Sequence, residues 1–372
     1  MHPDLLFLIY YLGLFTVIFF LSKFIFNKYL RFSLQYGLFK TKNTISTYKY
    51  HTPDSGGIIY AVVIMISTIT LENLDFVDFK NISPEIGTSI LIVFFGYYQD
   101  FLKISNFQKY IILSFLISML VYSSVIDVSN NGVIDNLHGF LGIYKLDSIS
   151  SFIFTFLVYV SIINAISRFN DVIGYVIIFS VLFFLSMLYI YHINDSYTLN
   201  TISIIIIAVS IFIIYNNYNN KKVLLVGNSG TLFMGFWIAY FFIQYITTAP
   251  GSNLVRIFSI KLENIPIIAL SLISMPFYDT LRIVLIRIIR MRSPFSDDLK
   301  WHLHHIILKS SMTNLKTSLF MSFINFSNCV LIFLIEPNFN SEDLMLIFIL
   351  MSLFWYIFFE YLNRKNINSS KY

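Results

Sequence analysis

The stretch VGNSGTLFMG, residues 226–235, sets two glycines and two hydroxyls ahead of an apolar run. A glycine-rich turn that opens a helix suits a phosphate, because backbone N–H groups and the helix dipole both point at it. Gly227 and Gly230 flank that turn. Between them stands Asn228, where phosphate chemistry commonly uses a carboxylate to seat a metal.

Four other polar stretches accompany it. YHTPDSGGIIY (50–60) is either part of a site or a turn followed by close helix packing through Gly56–Gly57. FGYYQDFLKI (95–104) carries Asp100 and Lys103, three apart and so expected on one helical face. They read as a solvated ion pair or as the acid and cation of a site. INAISRFNDVIG (163–174) brings Asn164, Arg168, Asn170 and Asp171 into a tight connection between two apolar runs. Polar groups held at membrane depth are usually functional or mutually paired.

The last stretch, residues 275–307, holds Asp279 and Arg282 at a spacing that makes them face the same way. Arg287, Arg290 and Arg292 follow in an amphipathic run suited to a membrane interface. Then come His302, His304 and His305. Their spacing does not put all three on one helix face, and zinc would need a fourth ligand. An anion or nucleotide contact is the favoured reading, with a metal site and a plain interfacial loop as the alternatives.

The elements that position these residues are membrane helices. The chain is 57% hydrophobic and 12% charged, with mean hydropathy +0.73. A soluble protein carries about twice that charge. Backbone groups in lipid must be satisfied internally, and the apolar runs are too long for barrel strands. The fold class is therefore an all-α polytopic membrane protein of about 11 transmembrane helices. The spans read as Leu5–Leu21, Gly56–Leu71, Ile86–Tyr98, Tyr110–Val125, Ile149–Ile166, Val172–Tyr191, Leu199–Tyr215, Thr231–Ile246, Ile265–Leu285, Ser318–Ile335 and Leu344–Phe359. The third is the shortest.

With the N-terminus outside and the C-terminus cytoplasmic, every lysine and arginine except Lys80, Lys145, Arg256 and Lys261 falls inside. The net charge of +5 then needs no nucleic-acid partner. The lone Cys329 excludes a disulfide framework. Met1–Asp4 lacks a basic leader, so the first span is expected to be retained. Turn signals at NNG and HGFLG predict a small extracytoplasmic hairpin near 127–148. No linker divides the chain, and residues 1–372 read as a single integral membrane domain.

Taken in order from about residue 51 to 310, these stretches resemble the polyprenyl-phosphate N-acetylhexosamine-1-phosphate transferases, glycosyltransferase family 4. The span count and orientation resemble the bacterial undecaprenyl-phosphate N-acetylglucosamine branch. Pro53 to Gly57 looks like the family's Pro-Arg-x-Gly-Gly, with Asp54 in the arginine's place. IDNLHGFLGIYKL (134–146) resembles its outer hairpin, and PFYDTLR with RSPF…HLHH resembles its ninth span and following loop. The family's Asp-Asp pair is Gln99–Asp100 here, with Lys103 in place. Its Asn-Ala-x-Asn-x-x-Asp-Gly-x-Asp-Gly runs from Asn164 to Gly174 with both acids out of register and Asp171 one position late. Its Gly-Asp-x-Gly-Ser has Asn228 for the acid, and its Asp-Arg-x-His appears as Asp298 to His302, longer by one residue.

The resemblance implies transfer of N-acetylhexosamine-1-phosphate from a UDP-sugar such as UDP-N-acetylglucosamine to undecaprenyl phosphate, which starts a cell-envelope glycan on its lipid. It implies Mg²⁺ as cofactor, Asp100 and Asp171 as catalytic groups, and Asn228 and Asp171 as metal contacts. Lys103, Asn164, Arg168, Gly227, Gly230, His302, His304 and His305 would hold substrate. The implied partners are the polyprenyl lipid, the UDP-sugar, the inner membrane with the active face cytoplasmic, and a second copy in a homodimer. The acids missing at 99, 170, 173 and 228, with Arg168 gained, open an alternative. This is a catalytically impaired member that binds polyprenyl phosphate or nucleotide-sugar without transfer, using Arg168, Lys103 and the histidines in place of a metal. A transporter is set aside because neither an inverted repeat nor a broken mid-membrane helix is read.

Overall fold

A computed structural model describes residues 3–40, 52–53, 55–102, 106–126, 132–171, 174–219, 224–289, 291, 303–309 and 313–369. Within the described residues each expected span is occupied by helix, the ninth by two helices. The helices are α1 (Pro3–Tyr36), α2 (Gly57–Asn73), α3 (Ser83–Phe101), α4 (Asn106–Ile126), α5 (Ser148–Ser167), α6 (Tyr175–Ile193) and α7 (Tyr197–Asn219). They continue as α8 (Gly227–Thr248), the short α9 (Asn253–Phe258), α10 (Ile265–Leu272), α11 (Ser274–Ile289), α12 (Leu303–Lys309), α13 (Asn314–Ile335) and α14 (Ser341–Ser369).

Among the described residues, eight helices are long and apolar enough to cross a membrane, or nine if the bent pair α10–α11 is one span. The chain is thus a multi-pass helical membrane protein, with fewer qualifying spans than the eleven expected. The difference lies in α2, apolar but only 17 residues long, and in α3. The latter has 19 residues, more than expected, but carries Glu85, Gln99 and Asp100 near its ends. In unqualified lipid such groups would be costly.

Two compact units make up the chain. One comprises 1–130, 156–170 and 176–241, and the other 131–155, 171–175 and 242–372. In the first, α1 runs along α7, and α2 packs against α1, α3 and α7. Val17, Phe20 and Phe24 of α1 stay exposed, as lipid-facing side chains do.

In the second unit, β3 (Asn136–Phe140) and β4 (Ile143–Lys145) form an antiparallel hairpin, with Phe140 opposite Ile143. This falls within the stretch where turn signals predict one. (The first two strands, β1 at Phe39–Lys40 and β2 at Thr52–Pro53, pair in the first unit.) Leu141 and Gly142 both have positive φ, 49° and 79°, as a two-residue turn matched to strand twist requires.

The main departure in the second unit is a 78° bend between α10 and α11. Pro276 has no N–H and its ring crowds the carbonyl four residues back, that of Leu272, where α10 ends. One side chain on α13 takes up the groups this frees. Asn325 Nδ2 donates to Leu272 O at 2.8 Å, and its Oδ1 accepts from Met275 N at 3.0 Å and Ser274 Oγ at 3.2 Å. Asn328 Nδ2 donates to Ser274 Oγ at 3.3 Å, and Trp355 Nε1 donates to Asn328 Oδ1, also at 3.3 Å. The bend makes α10–α11 a broken span or a re-entrant loop, where the sequence was read as one continuous span.

Replacing Asn325 with leucine leaves a buried carbonyl and a buried N–H without partners, at about 1–3 kcal/mol each. The expected result is a clearly lower thermal midpoint for the detergent-solubilised protein. An unchanged midpoint would mean the bend is held by something other than this amide.

Candidate functional site

In the first unit, segments far apart in sequence meet at the start of α8. The extended residues 224–226 lie beside the entry to α2, where Gly56 N donates to Leu225 O at 2.9 Å and Gly57 N to Val226 O at 3.3 Å. Gly227, at φ +68°, then turns the chain into α8. Backbones come very close here. A Cβ on Gly57 would sit 2.4 Å from Gly230 N, and one on Gly96 would sit 2.5 Å from Ser229 Cα. Only glycine lets α2, α3 and α8 approach this far. Close packing through Gly56–Gly57 was one of the two readings of that stretch, and it holds.

Into this junction α3 delivers Asp100, half-buried on its last turn. Its carboxylate accepts from Ser55 Oγ at 2.6 Å, Asn228 N at 2.8 Å and Ser229 N at 3.3 Å. Those amides are among the donors that the first turn of a helix leaves unpaired, and a negative charge there also faces the positive end of the dipole. Gly230 N goes to Val226 O at 3.1 Å. Two of the N–H groups expected to cradle a phosphate thus already hold the chain's own anion. The expected pairing of Asp100 with Lys103 on one helical face falls partly outside the described residues. The helix stops at Phe101, Leu102 is extended (φ −107°, ψ 137°), and Lys103 lies outside the described residues.

The connection after α5 supplies the other side. A 3-10 turn spans Arg168–Asp171. From it Asn170 Nδ2 donates to Asn228 Oδ1 at 3.4 Å, so two neutral amides face each other. Asn164, one turn earlier, accepts from Tyr110 Oη at 2.8 Å and is engaged with α4. Lys109 is buried, with Nζ 3.4 Å from Ser167 Oγ. Arg168 is half-buried, and its Nε is fully buried with no hydrogen-bond partner. Among the described residues no carboxylate pairs with it. Asp171 has its backbone in the turn, but its side chain lies outside the described part.

The remaining candidates belong to the second unit. His302 lies outside the described residues, as does the side chain of His304, while His305 is half-buried on α12. Asp279 and Arg282 do face the same way, 3.6 Å apart with side chains 1% and 4% exposed. Asp279 Oδ1 also accepts from Leu303 N at 3.0 Å, so it caps α12. Arg287 is only 5% exposed, not interfacial as expected, because α11 packs against α13 and α14. Arg290 and Arg292 lie outside the described residues.

Mg²⁺ prefers octahedral oxygen ligands and usually takes one or two carboxylates beside substrate phosphates. Among the described residues no group of three His, Cys, Asp or Glu could hold a metal ion. Asn228 offers a neutral oxygen that already accepts from Asn170, and the oxygens of Asp100 receive three donors. Among the described side chains, those of Asn228 and Asp100 do not fit the metal, and that of Asp171 lies outside them. Sequence reasoning missed Ser55, Lys109 and Ser167. Only Ser55 left a trace, as the polar residue directly before the glycine pair.

These observations define a class: a multi-pass helical membrane protein whose polar groups gather at the ends of three helices around a carboxylate-capped turn. The sequence model of glycosyl transferase family 4 matches residues 85–246, under half of the 372. The matched part contains Asp100, Asn164, Arg168, Asn170 and Asn228. The Pro53–Gly57 entry, the ninth-span signature and the histidine loop fall outside it, so the match is narrower than the likeness read over 51–310. No curated protein matches the chain.

If Asp100 is a structural cap as well as a site residue, Asp100→Asn lowers stability by about 1–3 kcal/mol, because two helix amides lose a charged acceptor. Ser55→Ala has a smaller effect. Thermal unfolding of purified protein measures both, and an unaltered midpoint in Asp100→Asn would mean the carboxylate contributes nothing to the fold.

Proposed function

We propose that the chain is a polyprenyl-phosphate sugar-1-phosphate transferase of the glycosyl transferase family 4 type. It takes a UDP-N-acetylhexosamine and undecaprenyl phosphate at the cytoplasmic face of the inner membrane. One observation carries this reading: the family match encloses the three stretches that meet at Asp100, namely the end of α3, the turn after α5 and the start of α8.

In the reaction an oxygen of the lipid phosphate attacks the phosphorus that bears the sugar. The bond from that phosphorus to the bridging oxygen breaks, and UMP leaves with the electron pair. A phosphate monoester has its second pKa near about 6 and is largely ionised at neutral pH, so the attack needs little help from a base. What the protein must supply is alignment and neutralisation of two anions. The engaged state of Asp100 is compatible with that demand.

The hydrogen-bonded pair Asn170–Asn228 favours a second reading, in which the chain binds lipid phosphate or nucleotide-sugar without transfer. Membranes from a host stripped of its own transferase, given labelled UDP-N-acetylglucosamine and undecaprenyl phosphate, separate the two. Labelled lipid with release of UMP is the expected outcome. Binding of both ligands with no labelled lipid would leave only the second reading, and failure to bind either would remove both.

A further inference from the structure

We infer that the site receives phosphate on Arg168, which shares its turn with Asn170 of the Asn170–Asn228 amide pair, and does so without a divalent metal. This rests on the phosphate-handling reading above and specifies how that handling is done.

Three features point the same way. First, the helix amides of Asn228 and Ser229, the usual place for a phosphate, hold the carboxylate of Asp100. A second anion there would displace a charged internal partner that also binds Ser55. Second, the side chains of Asn170 and Asn228 are uncharged and linked by a hydrogen bond of 3.4 Å. A divalent ion placed between them would gain no negative charge from either side chain, and Mg²⁺ gives up its water reluctantly. Third, a fixed cation stands in the same turn as Asn170. The buried Nε of Arg168 has no acceptor, and among the described residues no carboxylate balances its charge.

A buried guanidinium N–H without a partner is costly, and a phosphate oxygen removes that cost. The planar guanidinium presents donors in a fork that matches phosphate geometry. A bound diphosphate would meet a positive charge set in place by folding, whereas a metal site must first recruit its ion. The amide pair that includes Asn170 of the same turn is neutral and offers polar contacts without repulsion.

The test uses the full chain in lipid nanodiscs, with UDP as the probe and calorimetry as the readout, in Mg²⁺ and then in EDTA. Expected are equal affinities in the two conditions, and for Arg168→Met a loss of roughly tenfold or more, the scale of a hydrogen bond to a charged group. Arg168→Lys should retain part of the affinity, and the double change Asn170→Asp with Asn228→Asp should make binding respond to Mg²⁺. Binding that needs Mg²⁺ in the unaltered chain would overturn the inference and leave the transferase reading standing. Mg²⁺-independent binding that Arg168→Met does not weaken would overturn the role of Arg168. If neither UDP nor farnesyl phosphate binds in either condition, the transferase reading itself falls. The comparison of Mg²⁺ with EDTA needs no variant, so a poorly folded Arg168→Met cannot blur the result.

Discussion

The carboxylate of Asp100 against the first amides of α8 fixes the arrangement of the first unit. The first N–H groups of a helix have no partner within it, and here a side chain 128 residues away in sequence meets two of them. That contact sets where α8 begins. The start of α8 in turn sets the direction of Asn228, and Asn228 sets the partner of Asn170 in the turn after α5. The glycines at 57, 96 and 230 let the helices come close enough for the contact to form. Geometry and charge are thus fixed by one interaction, and the polar groups around it inherit their positions.

This has a chemical side. A protein that binds phosphate usually keeps positive potential free for the ligand, yet here part of it is spent on an internal anion. The surplus lies a few residues away, on the cation of the 168–171 turn, where two amides stand instead of acids. Net charge around the turn is therefore shaped by which carboxylate stays indoors.

How legible this was in the sequence depended on the kind of interaction. Apolar runs gave the helices, because burial and lipid exposure act on side-chain type. The close approach through Gly56–Gly57, the hairpin and the shared direction of Asp279 and Arg282 followed from local spacing. The partner of Asp100 did not, since a backbone amide carries no signature of its own and the two lie in different helices. Spacing also misled. Asp100 and Lys103 look like neighbours on a helix, but the helix ends between them. The break at Pro276 was not read in the span Ile265–Leu285, and the amide that makes the break tolerable sits on α13, where nothing local marks it.

That last arrangement fixes an order of assembly. The carbonyl of Leu272 and the amide of Met275 are made about fifty residues before Asn325, their partner. A chain inserted from its N-terminus carries these two groups into the membrane while α13 is still being synthesised. Until α13 arrives, α10 and α11 gain nothing from the bend and are free to sample straighter or looser forms. The 78° angle is then a late event in biogenesis, settled when the penultimate long helix packs, and the second unit takes its final form from its C-terminal end backwards.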